Sequence, residues 1–312
     1  MEAFRPGDSG ALAAALTEAA DGFADRAPAW SLAVVGPDVT WTATRGAPAQ
    51  ARFAAGSIGK SMTAAIVFQL IEEGRLSLQD TVSVWRPDLP NAGAVTLDHL
   101  LTHRSGYALQ RDMPPGEYAP PEAAFARLKQ VGAVFEPGAG WAYSNVGYML
   151  LGDIIAKVEG EPYAAVLQRR ILGPLDLSQT HILRPGAPDP MMVAGPYAAA
   201  PVSSTAADLV AWWRALLAGE VVGQASLDRM TAQAWPMFGA AKMGYGRGVQ
   251  IADVEPGPGP LILHSGGVNG FAATLAWSPR HQVFVSVLVN EQSVPAEAAL
   301  WALIQALDAA RG

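Results

Sequence analysis

The stretch Phe53-Ala54-Ala55-Gly56-Ser57-Ile58-Gly59-Lys60-Ser61 supports two readings, and the choice between them sets the fold. As a phosphate-binding loop, G-x-x-x-x-G-K-[ST], it has Gly59, Lys60 and Ser61 in place but Ala54 where the first glycine belongs. No later strand ends in an Asp preceded by four apolar residues, as a magnesium site would want. As S-x-x-K it needs only a helix. Residues 58–73 supply one, with Ile58, Met62, Ala65, Ile66 and Leu70 at helical spacing and Gly74 as a stop. Lys60 then stands one turn on from Ser57, within reach of its hydroxyl. A serine attacks only when a neighbouring base removes its proton, and a lysine is a base only where burial or nearby cations disfavour its ammonium. The start of a helix beside Ser57 further favours an alkoxide or an oxyanion.

The flanking sequence is strand-like at both ends of the chain. Residues 9–27 carry Leu12, Leu16, Ala19 and Phe23 at helical spacing and stop at Pro28. Residues 30–35 and 39–44 read as strands around Gly36-Pro37-Asp38, with 52–55 as a third. Helices are expected at 96–103, 121–131, 146–159, 163–172, 206–218 and 227–234. Pro/Gly-rich loops at 113–121, 184–201 and 255–260 belong on the surface. Strand character returns at 245–254, 261–264, 272–277 and 283–290, before a last helix at 296–309. This order predicts an α/β (α+β) fold: a mainly antiparallel sheet from both chain ends, flanked by helices, with an inserted helical domain. The expected division is 1–75 with 243–312 for the sheet domain and 76–242 for the insert.

Composition excludes several classes. The 312 residues allow about two domains, and half are apolar, which argues against disorder. Lys and Arg number 21 against 28 Asp and Glu, and a net charge of −7 offers no basic face for nucleic acid. Without cysteine there is no disulfide, thiolate catalyst, iron–sulfur cluster or cysteine zinc site. No apolar run approaches the ~20 residues of a membrane span. The opening MEAFRPGDSG lacks a basic start followed by an apolar run, so no signal peptide is read. The chain as it stands is expected in the cytoplasm, and in the periplasm or outside the cell if a signal was removed.

Two further segments carry chemistry. Phe135-Glu136-Pro137-Gly138 leads through Tyr143-Ser144-Asn145 into a helix, presenting a phenol and an amide from a loop. A tyrosine beside an ammonium can relay a proton to a leaving group; alternatively Ser144 or Asn145 merely caps the helix. His264-Ser265-Gly266-Gly267 closes an apolar strand, and its glycines let backbone N–H groups approach a ligand. Other features read as structural. His99 and His103, four apart on one expected helix, lack a third ligand. Trp212-Trp213 reads as packing between domains, and Glu72-Glu73 as a solvated helix end.

Taken in order, Ser57-Ile58-Gly59-Lys60, Tyr143-Ser144-Asn145 and His264-Ser265-Gly266 resemble the motifs of the serine β-lactamase and penicillin-recognising superfamily. The match is to its class C-like branch of DD-peptidases, D-aminopeptidases and family VIII esterases. Gly74-Arg75-Leu76-Ser77-Leu78-Gln79-Asp80 and Leu100-Leu101-Thr102-His103-Arg104-Ser105-Gly106 are similar as well. The resemblance implies a serine hydrolase acting through an acyl-enzyme, without cofactor or metal. Ser57 is then the nucleophile, Lys60 and Tyr143 share the proton chemistry, and Asn145, His264, Ser265 and Gly266 bind substrate. The backbone N–H groups of Ser57 and Gly267 would form the oxyanion hole. His264 stands where many β-lactamases carry lysine, and a histidine is mostly neutral near pH 7. A small ester or a D-amino-acid amide or peptide is therefore expected ahead of a β-lactam. The alternatives are a β-lactamase proper or a non-catalytic penicillin-binding-like receptor.

Overall fold

The computed structural model describes residues 8–108, 121–183, 197–200, 202–237, 242–254, 259–268 and 270–311, so most of the loops read at 113–121, 184–201 and 255–260 lies outside it. Apolar strands from both ends of the chain meet in one eight-stranded antiparallel sheet. Its strands are β1 (Trp30–Val35) and β2 (Thr40–Arg45) from the front of the chain. From the back come β6 (Trp235–Pro236), β7 (Met243–Tyr245), β8 (Gln250–Val254), β9 (Gly259–Val268), β10 (Phe271–Ser278) and β11 (Val283–Val289). The spatial order is β2-β1-β11-β10-β9-β8-β7-β6. The two ends join where β1 pairs with β11, from Trp30 opposite Val289 to Val35 opposite Phe284.

Side chains alternate between the sheet's faces. Leu32, Val34, Val285 and Val287 pack under α1 (Asp8–Phe23) and α9 (Ala296–Arg311), against Leu16, Leu300 and Leu307. Ala33, Leu275 and Leu288 face the opposite layer, which holds α2 (Gly59–Glu72) and α7 (Ala206–Leu217). Eleven of the fourteen residues of α2 are buried, so it runs through the middle of the molecule. Trp212 and Trp213 fix this layer: Trp212 Nε1 donates to Ser61 Oγ on α2 (3.0 Å) and Trp213 Nε1 to the Ile262 carbonyl on β9 (3.3 Å).

The remaining helices are α3 (Leu97–Leu101), α4 (Pro121–Val131), α5 (Asn145–Glu159), α6 (Tyr163–Leu167, prolonged by a π turn over Gln168–Leu172) and α8 (Gln224–Thr231). A small sheet of β3 (Phe53–Ala54), β5 (Val202–Ser204) and β4 (His181–Ile182) lies beside them, in the order β3-β5-β4. The far ends of α2 and α5 are tied by charge. Glu159, its side chain 4% exposed, accepts from Arg75, Arg169 and Arg170, and Arg170 also holds Glu73 (2.7 Å). Glu72 accepts from the Gly223 N–H (2.8 Å). Glu72 and Glu73 are exposed, the solvated helix end their position suggested, and each still holds a partner there. Burial pushes the Glu159 carboxyl up, but hydrogen bonds from Arg170 and Arg169 outweigh it and leave the group at about 2. A carboxylate held below its ordinary 4.5 stabilises the fold above that pH and loses the contribution as pH falls toward 2. Glu159→Gln should therefore lower stability at pH 7 by about 2 kcal/mol in urea titrations, allowing for the solvent-facing guanidiniums. The difference should shrink steadily below pH 4.5 and be largely gone by pH 2, and one as large at pH 2 as at pH 7 would refute the assignment.

Three expectations are corrected. The strand read at 245–254 is two strands: Gly246 N–H donates to the Val249 carbonyl (2.9 Å), and Gly248 has φ +81, turning the chain between β7 and β8. The strand read at 261–264 runs to Val268, because Ser265, Gly266 and Gly267 continue the ladder opposite Thr274, Ala273 and Ala272. Finally, α3 ends at Leu101. His103 lies beyond it at φ +60, so His99 and His103 do not share a helix face.

Candidate active site

Ser57 sits in a 3-10 turn, Gly56–Ile58, that carries the chain from β3 into α2. Gly56 adopts φ +56, and a Cβ on it would lie 2.8 Å from the Gly267 nitrogen. Across the contact, a Cβ on Gly266 would lie 2.2 Å from the Ala55 carbonyl and 2.9 Å from the Ser57 nitrogen. Two glycines, one on each side, thus let the β9 backbone lie against the nucleophile turn. Strand parity sets what β9 presents there. Ser265 N–H donates to Gln250 Oε1 (3.2 Å), away from β10. Gly267, two residues on, turns its N–H the same way, toward Gly56 and Ser57.

Lys60, the second residue of α2, is fully buried. Its Nζ is 2.9 Å from Ser57 Oγ, 2.8 Å from Asn145 Oδ1 and 2.8 Å from the Ala199 carbonyl oxygen. Burial lowers its pKa well below the ordinary 10.5. Two of the three partners are oxygens that can only accept. A neutral amine therefore keeps both of its N–H bonds to Asn145 and Ala199 and turns its lone pair to Ser57.

Asn145 is the first residue of α5 and spends its side chain on Lys60. The cap is Ser144, whose Oγ accepts from Gly147 N–H (3.0 Å). Tyr143 hydrogen-bonds with Ser57, and its ring lies under Lys60, 4.8 Å from Nζ to the centroid. Burial pushes the phenol well above its ordinary 10, against a smaller opposing effect of the Ser57 bond. Ser57, Lys60, Tyr143 and Asn145 therefore form one connected group, although 85 residues separate Lys60 from Asn145.

His264 is placed differently from the other motif residues. Its ring is fully buried. Nδ1–H donates to the Ser265 carbonyl (2.7 Å), so Nε2 accepts from the Tyr245 hydroxyl (3.0 Å). Burial pushes the imidazole down to about 3. It is neutral and has no free polar atom for a ligand, so what this position offers the cleft is the β9 backbone beyond it. Ser265 and Gly266 are partly exposed, and Ser265 Oγ is 3.5 Å from Thr274 Oγ1. His99 Nδ1 accepts from the Thr96 N–H in a capping box. Among the described residues no group of three His, Asp or Glu is disposed to hold a metal ion, and no helix is long and apolar enough to cross a membrane.

Sequence reasoning missed Ala199, Tyr245 and Gly56. A backbone carbonyl leaves no mark in sequence, and Tyr245 acts through a strand pairing that only the fold creates. Gly56, immediately before the serine, was the readable signal.

The beta-lactamase family profile matches residues 13–309, and the chain belongs to that family. It is 27% identical over 259 residues to the putative penicillin-binding protein PbpX of Bacillus subtilis, covering 77% of this chain and 62% of that protein. To the D-alanyl-D-alanine-carboxypeptidase/endopeptidase AmpH of Escherichia coli it is 28% identical over 271 residues, covering 75% of this chain and 69% of that one. Among solved structures, a D-stereospecific amidohydrolase from Streptomyces sp. superposes with a TM-score of 0.79 at 26% identity, over 93% of this chain and 97% of that one.

Proposed function

We propose that the protein is a serine hydrolase that forms an acyl-enzyme on Ser57, acting on a small carboxylic ester or a D-amino-acid amide or peptide bond. The observation that carries this is the Lys60 amine, buried and bound by two carbonyl acceptors so that its remaining valence faces the serine hydroxyl. The names of the amidohydrolase and of AmpH support the amide and peptide side of the range.

Burial drives Lys60 toward the amine and Tyr143 toward the phenol, which divides the roles the resemblance left shared. Lys60 takes the Ser57 proton as Oγ attacks the carbonyl carbon. The N–H groups of Ser57 and Gly267 receive the oxyanion. Tyr143 gives its proton to the leaving oxygen or nitrogen, and the ammonium and phenolate so formed exchange a proton to restore the pair. Asn145 holds Lys60 and offers its amide to the acyl side of the substrate. Segments 1–75 and 243–312 supply Ser57, Lys60 and β9, segment 76–242 supplies Tyr143, Asn145 and Ala199, and the cleft is the seam between them. A neutral His264 leaves no fixed charge at the β9 position for a carboxylate, which favours esters and amides over β-lactams.

A fluorophosphonate probe should add to the peptide containing Ser57, located by mass spectrometry. p-Nitrophenyl butyrate or D-alanine p-nitroanilide should be turned over faster than nitrocefin. Labelling elsewhere, or none, would sink the proposal. Because Lys60 works only as the neutral amine, the labelling rate should rise with pH and level off well below 10. A limb still climbing beyond pH 10 would mean that Lys60 keeps an ordinary pKa.

A further inference from the structure

His103 is buried, carries chemistry and is unused in the reaction just described. It stands at φ +60, a left-handed conformation in which residues other than glycine are uncommon and which is strained for most side chains. Its carbonyl oxygen accepts from Ala142 N–H (3.0 Å), and its Nδ1 accepts from Ser144 N–H (3.0 Å). The residue between those two amides is Tyr143, whose ring lies 4.3 Å from the imidazole, centroid to centroid. The surrounding loop repeats the pattern: Arg104 and Gly106 carbonyls accept from Gly138 and Val134 N–H groups, and Ser144 Oγ donates to the Tyr107 carbonyl.

We propose that His103 is a positioning residue for Tyr143, holding the amides on both sides of it and backing its ring so that the phenol stays on Ser57. Because Nδ1 accepts a hydrogen bond, the imidazole proton is on Nε2, which is buried without a hydrogen-bond partner. An orphaned buried donor is costly, and the residue bears it together with a strained backbone. Burial keeps the ring neutral, as the Ser144 bond requires: a proton on Nδ1 would face the Ser144 N–H donor to donor.

The test separates the acceptor from the ring. Asparagine places an oxygen at the δ1 position and tolerates positive φ, whereas glutamine moves its oxygen one bond further out. The proposal rests on Ser57 as nucleophile and Tyr143 as its proton partner, so labelling of Ser57 in the parent is checked first. Failure there removes the reading and not the clamp. Given labelling, His103→Asn should react with the fluorophosphonate within about tenfold of the parent, while His103→Gln should fall about 100-fold, the scale of a misplaced catalytic group. In a Tyr143→Phe background the asparagine and glutamine variants should react equally, because the group being positioned is gone. Equal rates for the two variants in the parent background, fast or slow, would overturn the proposal. So would a difference that survives in Tyr143→Phe. If the glutamine variant fails to fold, His103→Asp supplies a δ1 acceptor of a second kind, and a rate more than about 100-fold below the parent would overturn the proposal.

Discussion

Lys60→Ala should leave a folded protein that acylates on the order of 10³-fold more slowly, and Ser57→Ala should remove turnover altogether, on the order of 10⁴-fold or more. Without Lys60, no other group among the described residues is placed to take the serine proton. Tyr143 is held as the phenol and His264 has both nitrogens engaged. The loss should appear in kcat and in the burst rate of a p-nitrophenyl ester more than in KM, since the amine contributes to acylation and not to holding the substrate. The melting temperature should change little in either variant. Burying an amine is unfavourable by itself, and removing it offsets the hydrogen bonds lost to Asn145 and Ala199. Lys60→Ala with near-parental acylation would show that the serine is activated from elsewhere.

Gly266→Ala is expected to be nearly as damaging for a steric reason. The added methyl would sit 2.2 Å from the Ala55 carbonyl and 2.9 Å from the Ser57 nitrogen, both backbone atoms that no rotamer change can move. Either β9 retreats from the turn, and Gly267 N–H moves off the oxyanion position, or the turn itself shifts. Losing one oxyanion donor lowers kcat by about 10²–10³-fold, so a loss in that range is expected, along with a lower melting temperature from the strained contact. Gly267→Ala is the control, because a Cβ there meets nothing closer than 3.5 Å. Equal activity in the Gly266 and Gly267 variants would mean that the close approach has no catalytic role.

What could be read in the sequence followed the range of the interactions involved. Ser57 ends the lead-in to α2 and Lys60 stands in its first turn, and three-residue spacing brings them together. The antiparallel sheet was legible from consecutive hairpins, with Gly36-Pro37-Asp38 between β1 and β2 and Ser278-Pro279-Arg280-His281 between β10 and β11. Tyr143 and Asn145 were marked only by their order among motifs, because the bond from Lys60 to Asn145 closes a loop of 85 residues. His264 looked like a strand-end group facing ligand. Its neutrality comes from burial, and its Nε2 is taken up by Tyr245, neither of which local sequence encodes. The length of β9 was hidden for a related reason: Ser265-Gly266-Gly267 has little strand propensity, and β10 holds it extended. The turn at 246–249 is written in the sequence, by Gly246 and Gly248.

The partnership of Trp30 with Val289 has a temporal side. The middle of the sheet cannot zip until β11, about 250 residues after β1, has left the ribosome. Until then the apolar edge of β1 waits unpaired, a template for wrong neighbours. Pairings of such sequence separation make for slow refolding, so recovery from denaturant should be sluggish and best at high dilution. Catalytic competence should return as the last event, because Gly267 reaches Ser57 only once that seam has closed.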